Sequence, residues 1–137
     1  MTDQSAATMK RTSDASVAIL RKAFDAFQSG DLQAASELIA DDVEWHEIGR
    51  TEPIVGKEAL AARYASAMPA WNITGELHDI LANDDHAIAL VTAIANMDGR
   101  SLTYRVAEIY HIRDGKIAAR WAFSDDTAAI NAFFAGT

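Results

Sequence analysis

The 137-residue chain contains no cysteine, which excludes a disulfide framework, a thiolate metal site and a cysteine nucleophile. Basic residues are also scarce, with 12 against 20 acidic ones, and the net charge of −8 argues against a nucleic-acid partner because such a partner needs a basic face. Aromatic residues make up only 8% of a chain that is half apolar. Many inward positions must therefore be small, so the domain is either very tightly packed or hollow.

No stretch of the sequence is long and apolar enough to span a bilayer. The longest apolar run, Ala87–Ala95, includes Thr92 and is far shorter than the roughly 20 residues that a membrane helix needs. Residues 1–12 are polar and lack the apolar run of a signal peptide. We therefore expect a cytoplasmic protein without a membrane partner, with a flexible polar tail over residues 1–12 and a single domain over residues 13–137.

Apolar residues recur at helical spacing in the first half of the chain. Ser13 is a suitable N-cap for a first helix that ends at Gly30, and Asp31 can cap a second helix whose apolar stripe reaches Ile39. Pro69 ends a third helical stretch because proline cannot continue a helix. The pattern predicts this third helix over residues 57–68 and a last one over residues 127–135.

A period of two replaces the helical period after Trp71. Asp98-Gly99 and Asp114-Gly115 are hairpin signals, so consecutive strands should pair antiparallel. Three helices followed by such a meander indicate an α+β fold with the helices packed on one face of the sheet. The predicted strands cover residues 43–48, 72–82, 86–97, 101–112 and 116–124.

The first long hairpin places one carboxylate in apolar surroundings. A two-residue turn at Asp98-Gly99 makes paired residue numbers sum to 197, so that Glu108 lies opposite Ala89. The same face carries further alanines, which leave space above the sheet instead of filling it. A single carboxylate in that position is costly to bury, so it must take up a proton or hold a cation.

The second long hairpin has two possible registers, and a slip of one residue exchanges the faces. A two-residue turn places Glu108 opposite Trp121, whereas a three-residue turn with a bulge at Gly115 places it opposite Arg120. The second register leaves an apolar outer face, and we expect that face to form a homodimer. This outer face would carry Ile88, Leu90, Ile94, Ala107, Ile109, Ile117, Trp121 and Phe123.

Several short motifs occur in a fixed order along residues 15–125. They are Gly30-Asp31-Leu32, Asp41-Asp42, the strand Val43–Ile48, Glu52-Pro53, Gly56 and the stretch Asp114–Ile117. In this order and spacing the chain resembles the NTF2-like superfamily, and within it the SnoaL-like and ketosteroid-isomerase-like members. The resemblance implies a cone-shaped α+β barrel, in which a curved sheet wraps around helices and leaves a cavity at its open end.

The resemblance also implies roles for individual residues. It places Glu47 at the general base of the ketosteroid isomerases and Glu108 at the second acid, which those enzymes keep protonated. Tyr64 falls at a pocket tyrosine. Ala23, however, stands where those enzymes have their oxyanion-hole tyrosine, and Ala122 stands at acid positions of the SnoaL-like cyclases and of the epoxide-hydrolase branch.

We therefore expect cofactor-free acid/base chemistry on a small apolar carbonyl compound, of the isomerase, cyclase or dehydratase type. Glu47 would be the base, with Tyr64 assisting. Either a neutral Glu108 donates to the developing enolate, or Glu108 pairs with Arg120 or Arg105 and Arg120 holds the oxygen. The predicted pocket residues are Trp45, Trp71, Val91, Ala93, Tyr104, Val106 and Ala122. The alternative is a non-catalytic dimeric module that binds a small ligand or a protein.

The histidines do not predict a metal site. His86 and His111 pair by the sum of 197 on the outer face, but no carboxylate completes a ligand set at suitable spacing. His46 alternates with Glu47 and should point away from it. Nor do the isolated glycines have the spacing of a phosphate-binding loop. We expect neither a metal nor a cofactor.

Overall fold

The computed structural model describes residues 13–67 and 70–135. The predicted polar tail over residues 1–12, and the predicted helix end at Met68 and Pro69, lie outside the described residues. The helices are α1 (Asp14–Ser29), α2 (Leu32–Glu37), α3 (Lys57–Ala67) and α4 (Thr127–Phe133). The strands are β1 (Ile39–Trp45), β2 (Ile54–Val55), β3 (Asn72–Ala82), β4 (His86–Met97), β5 (Arg100–Arg113) and β6 (Lys116–Ser124).

The six strands form one curved, unclosed sheet in the order β2-β1-β6-β5-β4-β3. All neighbouring strands are antiparallel except β1 and β6, which are parallel. The helices pack on one face, where Leu20 and Ala23 of α1 share a core cluster with Ala87 and Ala89 of β4. The predicted α+β fold is therefore confirmed. None of the helices in the described ranges is long and apolar enough to cross a membrane.

Local capping explains where the first two helices begin and end. The Ser13 side chain accepts a hydrogen bond from the Ser16 amide at 3.1 Å, and the Asp31 carboxylate accepts one from the Ala34 amide at the same distance. Gly30 ends α1 in the left-handed conformation with φ 76°, which glycine adopts without strain.

Strand β1 begins earlier than predicted. The predicted second helix extended to Ile39 and the strand covered residues 43–48, whereas α2 ends at Glu37 and β1 runs from Ile39 to Trp45. The reason is tertiary, because Ile39 pairs with Ile117 of β6 and the Ile117 amide donates to the Leu38 carbonyl at 2.8 Å. Glu47 consequently lies two residues beyond the end of β1 instead of within it.

The register of β4 and β5 agrees with the predicted sum of 197. Met97 pairs with Arg100, Ala89 with Glu108 and His86 with His111. The turn residues Asp98 and Gly99 both have positive φ, at 52° and 75°, as a two-residue hairpin turn of this kind requires. The inner face of the sheet therefore carries the buried alanines of β4 together with Glu108.

The register of β5 and β6 matches neither predicted alternative. Arg113 pairs with Lys116 across a two-residue turn, but the register then shifts between Ile112 and His111. The extra residue is Ala118, which has no partner in the register, and beyond this bulge Glu108 pairs with Ala122.

This bulge changes which residues of β6 face inward. Ile117 and Arg120 are three positions apart, so in a regular strand they would point to opposite faces. The bulge brings both to the inner face, where Ile117 is fully buried opposite Ile112 and Arg120 lies opposite Tyr110. Ile117 was predicted on the outer face, and that prediction was wrong. Trp121 and Phe123 do lie on the outer face.

The burial of Ile117 yields a stability prediction. Ile117→Ala should lower the free energy of unfolding by about 2–5 kcal/mol, because it opens a cavity in a packed core. Val55→Ala, whose side chain is 63% exposed, should change that free energy by no more than about 0.5 kcal/mol. Urea denaturation of both variants measures the difference. Two equal, small effects would contradict the inward placement of Ile117.

Candidate functional site

A cavity of about 490 Å³ lies between the helices and the inner face of the sheet. Helix α1 supplies Phe24, Phe27 and Gln28, which share one side of the helix at spacings of three and four residues. Eight of the eleven aromatic residues in the chain line this cavity. Most of the few aromatic side chains therefore lie on the walls of the cavity, and Trp45 and Tyr110 belong to the buried core as well.

The structure brings the four predicted catalytic residues together on the wall of the cavity. They are Glu47, Tyr64, Glu108 and Arg120. Six of the seven predicted pocket residues also line it, namely Trp45, Trp71, Val91, Ala93, Tyr104 and Val106.

Ala122 is the exception among the predicted pocket residues and does not line the cavity. It shares the inner face with Glu108 but packs against a core cluster that includes Ile130 and Phe133. Helix α4 supplies Ile130 and Phe133 of that cluster. Ala122 thus packs in a core cluster to which α4 contributes, and the register of the sheet does not reveal that packing.

Glu108 and Arg120 form the first of two charged groups in the cavity, here called the inner pair. The Arg120 Nη2 atom donates to Glu108 Oε2 at 2.6 Å, and Nη1 donates to the His46 carbonyl at 3.0 Å. The side chain of Arg120 is only 12% exposed and that of Glu108 only 17% exposed. The guanidinium also lies 5.0 Å from the centre of the Trp45 ring, within range of a cation–π interaction.

The inner pair favours one of the two predicted alternatives for Glu108. Arg105, the other possible partner, pairs with Thr92 on the outer face and is exposed. Burial, the largest single influence, lowers the pKa of Arg120, but the charge and hydrogen bond of Glu108 together with the nearby Tyr110 and Tyr64 outweigh it and raise that pKa above its ordinary value. Arg120 therefore stays charged, and Glu108 Oε2 accepts its hydrogen bond, which is the arrangement of the ion-pair alternative.

Tyrosine hydroxyls surround the inner pair. Burial raises the pKa of Tyr64 to about 12, with smaller opposing effects from the charges of Arg120 and Glu108. Burial also raises the pKa of Tyr104. For Tyr110, burial and the negative charge of Glu108 together raise the pKa well above its ordinary value. All three tyrosines therefore remain protonated donors at neutral pH.

Glu47, Arg50 and Arg63 form the second charged group, here called the entrance cluster. The Arg63 Nε atom donates to both Glu47 oxygens, at 3.2 and 3.3 Å, and the Arg50 Nε atom lies 3.3 Å from Oε1. The side chain of Glu47 is 14% exposed and that of Arg50 is 50% exposed, so the cluster lies where the cavity meets solvent. The Arg63 guanidinium lies 5.0 Å from the centre of the Trp71 ring.

The loop that carries the entrance cluster is held close to α4. Gly49 has φ +77°, and a Cβ atom at this position would lie 1.9 Å from the Asn131 Oδ1 atom. Any residue other than glycine would therefore be strained and would collide with Asn131 unless one of them moved. Both residues line the cavity.

Sequence reasoning missed Arg63, although a signal for it was present. Leu60 of α3 is buried and Tyr64 lines the cavity, and Arg63 is the neighbour of Tyr64 and lies three residues after Leu60. A residue at that spacing shares the side of the helix that Leu60 buries. The contact with Glu47 itself was not foreseeable, because it depends on how α3 packs beside β1.

The histidines lie away from the cavity. His86 and His111 stack on the exposed face with ring centres 4.8 Å apart, and His46 stacks on Trp121 at 5.3 Å. His78 contacts the Thr92 hydroxyl at 2.6 Å on the same outer face. Within residues 13–67 and 70–135, no three histidine or carboxylate side chains come together as a metal site would require.

Comparisons with known proteins agree with this architecture. The family model of the SnoaL-like domain matches residues 20–120. A Mycobacterium tuberculosis protein described as uncharacterized is 30% identical over a 137-residue alignment that covers 90% of this chain and 99% of that protein.

Two solved structures illustrate the shared fold. An NTF2-like protein of unknown function from Burkholderia pseudomallei has a TM-score of 0.80 at 17% identity, covering 90% of this chain and 100% of that one. IdmH, a proposed polyketide cyclase from Streptomyces antibioticus, has a TM-score of 0.70 at 22% identity, covering 88% and 99%. The predicted resemblance is confirmed, and the chain belongs to the SnoaL-like family with an NTF2-like fold.

Proposed function

We propose that the protein is an enzyme that performs cofactor-free acid/base chemistry on a small, mostly apolar carbonyl compound held in the cavity. One observation carries this proposal: a carboxylate, Glu47, and a guanidinium, Arg120, line the same aromatic cavity. A base and an electrophilic group on one apolar wall are what proton abstraction next to a carbonyl requires.

Arg120 is the residue that would hold the carbonyl oxygen. Two of its three nitrogens already donate, to Glu108 and to the His46 carbonyl, and these contacts orient the guanidinium. The third nitrogen, Nε, is buried and has no hydrogen-bond partner among the described residues. An oxygen that gains negative charge as an enolate would satisfy this donor. Glu108 would then position Arg120 and not itself act as an acid.

Glu47 would remove the proton on the carbon next to that carbonyl. Its hydrogen bonds from Arg63 hold the carboxylate in one orientation, and its 14% exposure keeps most bulk water away from it. Burial raises the pKa of Tyr64 to about 12, so its hydroxyl stays protonated and would supply a further donor to the substrate. The proton would return from Glu47 to another atom of the substrate, which corresponds to isomerisation, cyclisation or dehydration.

A second candidate function is a non-catalytic small-ligand module. The observation that favours it is that both carboxylates in the cavity already accept hydrogen bonds from guanidinium groups. Ala23, at the position of the oxyanion-hole tyrosine of the ketosteroid isomerases, is buried in the core and supplies no donor. A binding module would use the same aromatic walls and would transfer no proton.

The outer face supports the further proposal of a homodimer. Leu90, Ala107 and Phe123 lie side by side on three neighbouring strands, and Leu90 and Phe123 are 39% and 58% exposed. Ile88, Ile109 and Trp121 form the adjacent row. Contiguous apolar rows of this kind are typical of interfaces, and a second copy of the chain would cover them.

Glu47→Gln should strongly slow proton abstraction from a small test compound. The probe is 5-nitrobenzisoxazole, a small aromatic compound whose ring opens when a base removes one C–H proton. We expect the wild type to exceed buffer alone and Glu47→Gln to lose about 10²-fold of that rate. The release of the coloured phenolate measures the reaction.

Glu52→Gln provides the matched control, because Glu52 is an exposed carboxylate outside the cavity lining. This control variant should retain the wild-type rate. Equal rates for the wild type and a folded Glu47→Gln protein would remove Glu47 from the mechanism. Probe binding without any acceleration would instead support the binding module.

The three buried tyrosines predict the behaviour of the protein at high pH. No tyrosine should ionise near the ordinary value of 10, so tyrosinate absorbance should appear in the folded protein only at higher pH. Burial raises the pKa values of these tyrosines in the folded state. The stability that they contribute to the folded protein is therefore complete below pH 10 and is lost as the pH rises toward 12. Urea-unfolded protein is the control, and it should ionise near pH 10. Tyrosine ionisation near pH 10 without unfolding would contradict the burial of these hydroxyls.

The wild type should sediment as a dimer at micromolar concentration. The double variant Leu90→Glu/Phe123→Glu should sediment as a monomer, because it places charges on the proposed interface. Val55→Glu, which adds one charge to an exposed position outside that face, should remain dimeric. Analytical ultracentrifugation measures all three proteins, and a monomeric wild type would refute the interface.

A further inference from the structure

We propose that His46 is a positioning residue that fixes Glu47 and Arg120 relative to each other. Its ring stacks on Trp121 on the outer face of the sheet, and His46 does not line the cavity. The inference rests on the proposed function, in which Glu47 is the base and Arg120 holds the carbonyl oxygen. His46 acts on these two residues through its backbone, its place in the chain and its side chain.

Both backbone polar groups of His46 are bonded to Arg120. The His46 amide donates to the Arg120 carbonyl at 2.8 Å, which continues the pairing of Trp45 with Arg120 at the end of β1. The His46 carbonyl accepts from Arg120 Nη1 at 3.0 Å, and a hydrogen bond from a charged donor is stronger than one between neutral groups. The orientation of the His46 backbone therefore helps to set the orientation of the guanidinium.

His46 is also the residue at which the chain leaves the sheet. Strand β1 ends at Trp45, the His46 amide is still bonded to β6, and Glu47 follows directly. The Glu47 carbonyl accepts from the Arg50 amide at 3.2 Å, so the chain turns within the loop. Because consecutive Cα atoms lie about 3.8 Å apart, the backbone conformation of His46 decides where Glu47 can lie.

The side chain of His46 anchors this conformation from the opposite face of the sheet. Its ring stacks on the Trp121 indole, with the ring centres 5.3 Å apart and the planes 15° from parallel. Trp121 directly follows Arg120 in β6, so His46 contacts two adjacent residues of one strand, with its backbone and with its ring. Loss of the ring would free the backbone at the point where both proposed functional groups are attached.

A second contact of the ring, with Glu44, contributes less to this anchoring. His46 Nε2 lies 2.7 Å from Glu44 Oε1, but the Glu44 side chain is 49% exposed. An ion pair open to water stabilises a structure only slightly, whereas two stacked flat rings prefer a defined arrangement. We therefore expect the stacking on Trp121, and not the contact with Glu44, to hold His46 in place.

The test replaces His46 with side chains that lose or keep a flat ring, and it uses 5-nitrobenzisoxazole as the substrate. His46→Ala and His46→Gln should lower kcat about tenfold, because a small displacement of a base from its proton slows the reaction steeply. The KM should change by less than about twofold, since the cavity walls are unaltered. His46→Phe keeps a ring for Trp121 without the contact to Glu44, so its kcat should stay within about twofold of the wild-type value.

His86→Ala is the matched control. His86 also stacks on a neighbouring ring, that of His111, with the centres 4.8 Å apart, and it lies outside the cavity lining. The variant loses one stacked imidazole of the outer face, as His46→Ala does, and should retain the wild-type kcat. A loss as large as that of His46→Ala would assign the effect to the sheet as a whole and overturn the proposal.

Three further results would overturn the proposal. They are a wild-type kcat in folded His46→Ala or His46→Gln, a raised KM with unchanged kcat, and a His46→Phe protein as slow as His46→Gln. If His46→Ala does not fold, the comparison of the Gln and Phe variants decides. A wild type no faster than buffer would refute the proposed function and this inference with it. A fast wild type with equally fast His46 variants would refute this inference alone.

Discussion

The ion pair between Glu108 and Arg120 joins two neighbouring strands at the wall of an otherwise apolar cavity. Either charge alone would be costly to bury, and removing one partner from such a pair commonly destabilises a protein by about 3–5 kcal/mol. The bulge at Ala118 makes the pair possible, because without it Ile117 and Arg120 could not both face inward. The bulge thus combines a packed core at one end of β6 with a charged site at the other.

The space around this pair depends on where small and large side chains lie. The inner positions of β4 include alanines that are almost completely buried, so the sheet approaches the helices without filling the volume between them. Most aromatic rings lie on the walls, where edge-to-face contacts join Trp45 to Tyr64 and Tyr64 to Trp71. A composition poor in aromatic residues is therefore compatible with an aromatic cavity.

The electrostatics of the cavity illustrate why net charge is a poor guide to a binding site. A chain with a charge of −8 would be expected to repel anions at a distance. Inside the cavity, however, each carboxylate is paired with a guanidinium, and low exposure reduces screening by salt. Local pairing, and not the charge of the whole chain, therefore sets the electrostatics of the cavity wall.

The sequence by itself determined the helix caps at Ser13 and Asp31, the two-residue turn at Asp98-Gly99 and, from that turn, the pairing of Ala89 with Glu108. These features depend on residues that are close in sequence or related by one hairpin, so local rules are sufficient. Only the tertiary structure decided the early start of β1, the inward side chain of Ile117, the packing of Ala122 in a core cluster with residues of α4 and the contact of Arg63 with Glu47. Each of these arises where elements distant in sequence meet, and their packing overrides what the local pattern favours.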